Sequence, residues 1–266
     1  ITRVGIEATG HYGLAVEAAL REAGFEVIVV QPVQVGMFRA LNRKHAKTDP
    51  LDAELIARFV GEQPVRRDFH DPRFAPWREK LLYIEQLKSD VARERIRLRR
   101  YADDQLRART KDRIKRLGQE VREMFAALLA ELRADADLAS RLDLLVSIPG
   151  VGEQSALVLA LRMPELGALS REEIAALAGV APFNADSGKK RGARHIAGGR
   201  KPVRDALYTP AVAAATRWNP DLMVFHRRLR AAGKPAKVAF VACLRKLLII
   251  ANAVLARGTS WEPKTT

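Results

Sequence analysis

The sequence predicts a fold that joins an α/β region to a longer all-α region. Three observations lead to this class: a strand, a helix and a second strand follow one another at the start, Trp77 to Leu117 contains no glycine or proline, and amphipathic helical segments follow Leu142. We divide the 266 residues into an α/β domain at 1–74, a helical coiled-coil linker at 75–137 and a mostly helical domain at 138–266.

The first element is a βαβ unit. Thr2–Ile6 predicts a buried strand, Leu14–Ala23 an amphipathic helix closed by Gly24, and the following run up to Pro32 a second strand. This order predicts a parallel pair, and ligands bind at the carboxyl ends of parallel strands. Glu7 is expected at such an end.

Asp49 and Asp52 lie three residues apart in the stretch "KTDPLDA". Pro50 suits the first helical position, which makes Asp49 an N-cap and places Asp52 in the first turn. From this stretch alone, helix capping is favoured over the alternative that the two aspartates form half of a metal site.

The second element is a long helix from Trp77 to Leu117, part of a helical hairpin or coiled coil that continues through Gly118 to Leu132. Its basic residues include Arg93, Arg97, Arg100, Arg107, Lys111 and Lys115. A solvated surface explains any one of them, whereas their sum favours a nucleic-acid track.

The charge balance indicates a polyanionic partner. Lysine and arginine number 46 against 31 aspartates and glutamates, giving a net charge of +15 that by itself fits DNA, RNA or a membrane surface. The single cysteine, Cys243, excludes an internal disulfide and a cysteine-based zinc site and indicates a reducing, cytoplasmic setting. Arg245 and Lys246 interrupt the most apolar stretch, which therefore predicts a core helix and no membrane span.

Two segments of the third region are candidates for phosphate binding. Gly150 and Gly152 lie in "IPGVG" between two apolar helical segments, the layout of a helix-hairpin-helix, although an ordinary packing corner has the same pattern. A glycine-rich basic segment follows at 183–208, where a flexible surface loop is the alternative. Its candidate residues are Gly188, Lys189, Lys190, Arg191, Arg194, Arg200, Lys201 and Arg204. Helices at 203–215 and 238–255 are expected beneath it.

Ser187 in this segment is a candidate nucleophile. A serine needs a base or a metal ion to activate it, and although His195 is near in sequence, no triad is indicated. Mg²⁺ or Mn²⁺ would serve, and both select hard oxygen ligands such as Glu7, Asp49 and Asp52.

Several motifs, in order, resemble the DEDD-type transposases of insertion-sequence family one-ten, which are relatives of the Piv site-specific invertases. They are "IEATGHYG", "KTDPLDAELIA", "IPGVG", "LAGVAPFNADSGKKRG", "GGRKPVRDALY" and "GTSWEP". The resemblance implies a RuvC-like domain with four acidic metal ligands, a coiled coil, and a second domain whose serine attacks DNA. It further implies recombination guided by a structured bridge RNA and a homo-oligomer, from a dimer to a tetramer.

Carried over residue by residue, the second, third and fourth acidic ligands fall on Glu7, Asp49 and Asp52, and the serine falls on Ser187. The first acidic ligand has no counterpart, so we expect a partial, N-terminally truncated RuvC-like domain. The resulting hypothesis is a Mg²⁺-dependent DNA recombinase located in the cytoplasm with the nucleoid. The alternatives are a non-catalytic nucleic-acid-binding remnant and a RuvC-type metal nuclease, which needs no serine.

Overall fold

A computed structural model describes residues 2–7, 12–30, 32–42, 49–63, 69, 71–183, 192 and 194–263. The chain divides into two compact units, Ile1–Asp68 and Phe69–Thr266. The fold combines a small α/β unit with a larger helical one, as the sequence predicts.

The N-terminal unit contains a parallel βαβ arrangement, so this prediction is confirmed. Its elements are β1 (Arg3–Glu7), α1 (Tyr12–Glu22), β2 (Glu26–Val30), α2 (Pro32–Leu41) and α3 (Asp49–Glu62). The two strands pair in parallel from Arg3 opposite Glu26 to Glu7 opposite Val30. A Cβ on Gly5 would collide with Ile56 and Val60, so glycine is what lets α3 lie close against β1.

The C-terminal unit begins with a helical hairpin. Its two helices are α4 (Phe74–Leu98) and α5 (Asp104–Ala134). They run antiparallel, because Lys80 near the start of α4 pairs with Glu131 near the end of α5 at 2.5 Å. The side chains that face each other along the inner half are apolar: Leu81, Ile84, Phe125, Leu128 and Leu132 are all buried.

The prediction of one unbroken helix from Trp77 to Leu117 is wrong. The chain turns between Leu98 and Asp104, where Asp103 caps α5 by accepting a hydrogen bond of 2.8 Å from the Leu106 N–H. The Arg107 guanidinium donates to the Tyr101 carbonyl at 2.9 Å and to the Leu98 carbonyl at 3.4 Å. A cap and an arginine therefore make the turn without the glycine or proline that a sequence search looks for.

The remaining elements are α6 (Ala136–Val146), α7 (Glu153–Arg162), α8 (Arg171–Leu177), β3 (Pro182–Phe183), β4 (His195–Ile196), α9 (Lys201–Ala213), a π-helical turn (Ala214–Trp218), α10 (Pro220–Ala231) and α11 (Ala236–Arg257). One hydrophobic core runs through this unit, from Phe74 to Val254. Helix α11 is long and apolar enough to cross a membrane by length and composition, but it contributes eight buried residues, including Cys243, to the unit. The predicted core helix at 238–255 is thus confirmed.

Candidate functional site

The predicted acidic residues of the N-terminal unit lie at a strand end and a helix start. Glu7 is the last residue of β1, as expected. Helix α3 begins at Asp49, one residue before the predicted start, and both Asp49 and Asp52 are in its first turn. The Asp52 carboxylate forms an ion pair with Arg39 of α2, and these side chains are only 17% and 21% exposed. Asp52 is therefore already neutralised by a protein cation.

Carboxylates have the right chemistry for Mg²⁺ or Mn²⁺, but their arrangement does not form a centre. Within the described residues, which include Glu7, Asp49 and Asp52, no three acidic, histidine or cysteine side chains come together as metal ligands. Three carboxylates repel one another unless a cation lies among them, and here Arg39 takes one of them. The oxygen donors suit such an ion, but as placed they are not gathered around one point, and no chemical step is derived from a bound metal ion.

The turn between α6 and α7 uses its two glycines differently. Gly150 has a φ of 98°, and a Cβ there would collide with Ala214, so this glycine serves close packing. Gly152 is the N-cap of α7, it has no side-chain cap, and space is open around it. Neighbouring Val151 is buried. The packing corner at Gly150 and the exposed helix start at Gly152 thus lie two residues apart in one turn.

A cleft of about 760 Å³ opens in front of the α7 start. Its lining includes Lys88 from α4, Phe125 from α5, Gly152 and Glu153 from the turn, and Pro210 from α9. Lys88 lies over the Phe125 ring with its Nζ 6.0 Å from the ring centre. Because Glu153 adds a negative charge to the helix start and Lys88 a positive one, the cleft has no strong preference for anions.

The predicted nucleophile lies outside the described residues, as do Gly188, Lys189, Lys190 and Arg191. The base of this segment is described on both sides. Strands β3 and β4 pair antiparallel, with Pro182 opposite Ile196 and Phe183 opposite His195. The chain between Phe183 and His195, which contains Ser187, therefore starts and ends at one point of the C-terminal unit.

Three glycines bring the backbone at this base into close contact. Gly179, Gly198 and Gly199 have φ values of 69°, 64° and 66°, a region that side chains with a Cβ rarely adopt. A Cβ on Gly199 would collide with the Gly179 backbone. Glycines in this segment were expected to let the backbone approach a ligand closely. At Gly198 and Gly199, the close approach is to the protein's own backbone at Gly179.

Two predicted phosphate-binding arginines stabilise this base. The Arg204 guanidinium donates to the Gly198 carbonyl at 2.5 Å and to the Ala178 carbonyl at 3.2 Å. Arg200 pairs with Glu165 at 2.6 Å and donates to the Arg162 carbonyl at 2.7 Å. We call Gly179, Gly198, Gly199, Arg200 and Arg204 the clasp. Lys201 is exposed and pairs with Asp205 at 2.5 Å, and Arg194, which precedes β4, is exposed as well.

Sequence analysis missed the arginines that terminate α7. Arg141 donates to the carbonyls of Met163 and Leu166, both at 3.1 Å, and Arg78 donates to the Leu161 carbonyl at 2.8 Å. Burial lowers the pKa of Arg141. Arg78 lies on α4 and Arg141 on α6, far from α7 in sequence, so no local sequence pattern could have identified their role.

Comparisons with known proteins cover most of the chain. Residues 2–117 match the model of the DEDD transposases of IS110 type, and residues 142–227 match the model described as the transposase IS116/IS110/IS902 family. The chain is 26% identical over 276 aligned residues to the pilin gene-inverting proteins of Moraxella bovis and Moraxella lacunata, covering 97% of this chain and 81% of each relative. It is also 28% identical to an uncharacterized protein of insertion element IS110 from Streptomyces coelicolor, over 54% of this chain and 36% of that protein.

Proposed function

The chain belongs to the IS110 family of transposases, which are DNA-recombining enzymes, and on that premise we propose that it cuts and rejoins DNA duplexes as the site-specific recombinase of an insertion sequence. The observation that carries the proposal is the pair of family matches, which cover the α/β unit, the hairpin as far as residue 117, and the clasp. The pilin gene-inverting relatives support DNA inversion as the type of outcome. A net charge of +15 suits a DNA substrate.

We propose Ser187 as the nucleophile. Its Oγ attacks a backbone phosphorus, a bond forms between serine and phosphate, and the bond from phosphorus to one deoxyribose oxygen breaks. The serine proton passes to a base, and the released oxygen takes up a proton. In the second step a hydroxyl of the partner duplex attacks the same phosphorus and releases the serine, which rejoins the strands.

The clasp supports this assignment because the segment that bears Ser187 leaves a rigid base. Backbone contacts between glycines, together with arginine hydrogen bonds to three carbonyls, fix the points where the segment begins and ends. Positioning of a nucleophile is worth several orders of magnitude in rate. Lys189, Lys190, Arg191 and Arg194 would bind the phosphates near the serine, together with Gly188, Lys201 and the turn at Gly150 and Gly152.

The acidic residues Glu7, Asp49 and Asp52 are proposed ligands of Mg²⁺ or Mn²⁺, on the chemistry of their oxygens alone. A bound divalent ion would stabilise charge on phosphate oxygens. Titration with Mn²⁺ tests this part separately: wild-type protein should bind it more tightly than the Glu7→Gln variant, and equal affinities would contradict the ligand assignment.

A structured guide RNA and a homo-oligomer, from a dimer to a tetramer, complete the proposal. We identify no base-reading motif in the sequence, which suits a recombinase that delegates the choice of target to RNA pairing. We expect one discrete RNA to co-purify with protein made in cells that carry the native flanking DNA. Heterogeneous nucleic acid, removed by modest salt, would contradict guidance. A cytoplasmic location follows from such a partner.

The decisive experiment is strand exchange with Ser187→Ala, with Ser260→Ala as a matched control, because Ser260 is exposed near the C-terminal end of the described residues. Ser187→Ala should bind DNA as wild type does but form no protein–DNA adduct and exchange no strands. Ser260→Ala should behave as wild type. Cleavage that survives Ser187→Ala without an adduct would instead identify a RuvC-type nuclease. Binding without any reaction of the wild-type protein would identify a non-catalytic remnant.

A further inference from the structure

The outer half of the α4–α5 hairpin contributes no side chain to the main core, as far as the described residues show. On α4 the core residues end at Ile84, and on α5 they begin at Val121. The segment from Leu87 to Glu120 is therefore an outer hairpin formed by two helices that pack on each other. At about 1.5 Å per residue, the α5 part is about 25 Å long.

Charge is concentrated in this outer hairpin. Residues 93–116 contain eleven lysines and arginines and four aspartates and glutamates, an excess of seven positive charges out of the +15 of the whole chain. A solvated helix surface usually carries both signs in similar numbers. About half of the net charge on so short a segment needs another explanation, and a polyanionic partner supplies it.

The arginines on one side of the hairpin form two matching rows. The first row is Arg93 and Arg97 on α4 with Arg100 just after the end of α4, and the second row is Arg109, Arg113 and Arg116 on α5. Both follow the spacing i, i+4, i+7, which places each row along one side of its helix. This differs from the basic residues that the sequence alone suggested for α5, since Arg107 is used to close the turn.

Three of these arginines, Arg93 and Arg97 from the first row and Arg113 from the second, line one shallow depression. It measures about 250 Å³ and is lined by Asp90, Arg93, Glu94, Arg97, Arg113 and Leu117. Glu94, one of the lining residues, is only 5% exposed. It accepts a hydrogen bond from Arg97 at 2.7 Å and lies 3.5 Å from a nitrogen of Arg113. One buried acid thus fixes the register of the two rows.

We propose that this arginine face binds the phosphodiester backbone of a nucleic-acid duplex. All six members are arginines, whose planar guanidinium donates two parallel hydrogen bonds to a phosphate, and neighbours in a row lie about 6 Å apart, one helical turn. Glu94 orients Arg97 and Arg113, while Arg100, Arg109 and Arg116 make no side-chain hydrogen bond or ion pair within the described residues. The inference deepens the proposed function, on which it rests, by naming the surface that takes the phosphates.

The opposite side of the same hairpin offers a control with equal charge. These control residues are Arg95 on α4, Arg99 at the C-cap of α4, and Lys111 and Lys115 on α5. By helical spacing they lie across the seam from the arginine face, and all four are exposed. No described carboxylate joins the cations of this side across the two helices. Electrostatic attraction is therefore available on both sides, but the fixed register is found only on the arginine face.

The test compares two quadruple variants of the full chain. The first replaces Arg93, Arg100, Arg109 and Arg116 by Gln, leaving Arg97 and Arg113 to neutralise Glu94; the second replaces Arg95, Arg99, Lys111 and Lys115 by Gln. Both lose four charges. Dissociation constants are measured with a duplex DNA and a duplex RNA of the same sequence across a range of salt, after thermal unfolding shows that both variants fold.

The first variant should bind one of the duplexes at least 30-fold more weakly at about 0.1 M salt and lower the salt slope by about three, whereas the second should lose less than fivefold. The duplex on which the difference appears identifies the source of the phosphates. Equal losses for both variants, or none for the first, would overturn the inference. Ser187→Ala strand exchange tests the proposed function independently, since these variants keep the serine.

Discussion

The two units hold their predicted functional residues in contrasting ways. In the N-terminal unit, Glu7 lies on β1 and both Asp49 and Asp52 lie on α3, and these described carboxylates do not come together as a group of three metal ligands. In the C-terminal unit, glycine contacts and arginine hydrogen bonds fix the base of the serine segment. The difference has a simple electrostatic cause. Three carboxylates repel one another, so gathering them needs a cation, whereas arginine hydrogen bonds to carbonyls are favourable unaided.

The largest effect is expected from a substitution at the closest contact of the clasp, between Gly179 and Gly199. Gly199→Ala places a Cβ into the Gly179 backbone at a φ of 66°, so we expect a loss of about 3 kcal/mol of unfolding free energy from overpacking and backbone strain. Gly233→Ala is the matched control, because its φ is 74° but space is open around it. It should lose only about 1 kcal/mol, the cost of the backbone alone. Denaturant unfolding measures the free energy of unfolding of both variants. Equal losses would show that the close contact between Gly199 and Gly179 adds nothing to the cost.

Removing Arg204 from the clasp should have the next largest effect. Arg204→Met leaves the carbonyls of Ala178, Gly179 and Gly198 without this donor, which we expect to cost about 2 kcal/mol. Lys201→Met, which breaks only an exposed ion pair, should cost less than about 0.5 kcal/mol. If the base positions the serine segment, the rate of strand exchange by Arg204→Met should fall even under conditions in which this variant is fully folded. An unchanged rate in the folded variant would show that the base does not position the serine.

The third prediction concerns the ion pair between Arg39 and Asp52 in the N-terminal unit. Arg39→Gln removes the ion-pair partner of Asp52, and because the pair is partly exposed its loss should cost less than about 1 kcal/mol. The freed carboxylate should raise the affinity for Mn²⁺ several-fold in a titration. The double variant Arg39→Gln, Asp52→Asn should lose that gain. If both variants bind Mn²⁺ as wild type does, Asp52 is not a ligand.

The smallest effect at neutral pH concerns Cys243 in the core of the C-terminal unit. Burial raises the pKa of its thiol from 9.0 to about 11, so the folded protein keeps the proton that the unfolded chain releases first. Stability from this group is therefore intact below about pH 9 and is lost as the pH rises from there through 11. A thiol reagent at pH 8 should label the native protein slowly and the unfolded protein at once. Fast native labelling would mean that this core opens readily.

Sequence patterns predicted the elements whose cause is local. Two short apolar runs, separated by an amphipathic segment that ends at Gly24, predicted the βαβ unit, and it is present with parallel pairing. Helix α11 followed from its apolar run. The turn at Leu98 to Asp104 was missed, because Asp103 and Arg107 make it with an ordinary cap and side-chain hydrogen bonds. The candidate site followed from motifs, and its residues Glu7, Asp49, Asp52 and Ser187 remain predictions.

By itself, the sequence determined where most helices and strands form, the excess of positive charge and the family. Each of these depends on residue type and on spacing along the chain. Only the tertiary structure decided what the arginines do. Arg200 and Arg204 contact carbonyls and a carboxylate of other elements, while Arg97 and Arg113 meet at Glu94 across two helices. A guanidinium serves a phosphate or a protein oxygen equally well, so its partner is set by which oxygen the fold brings within reach.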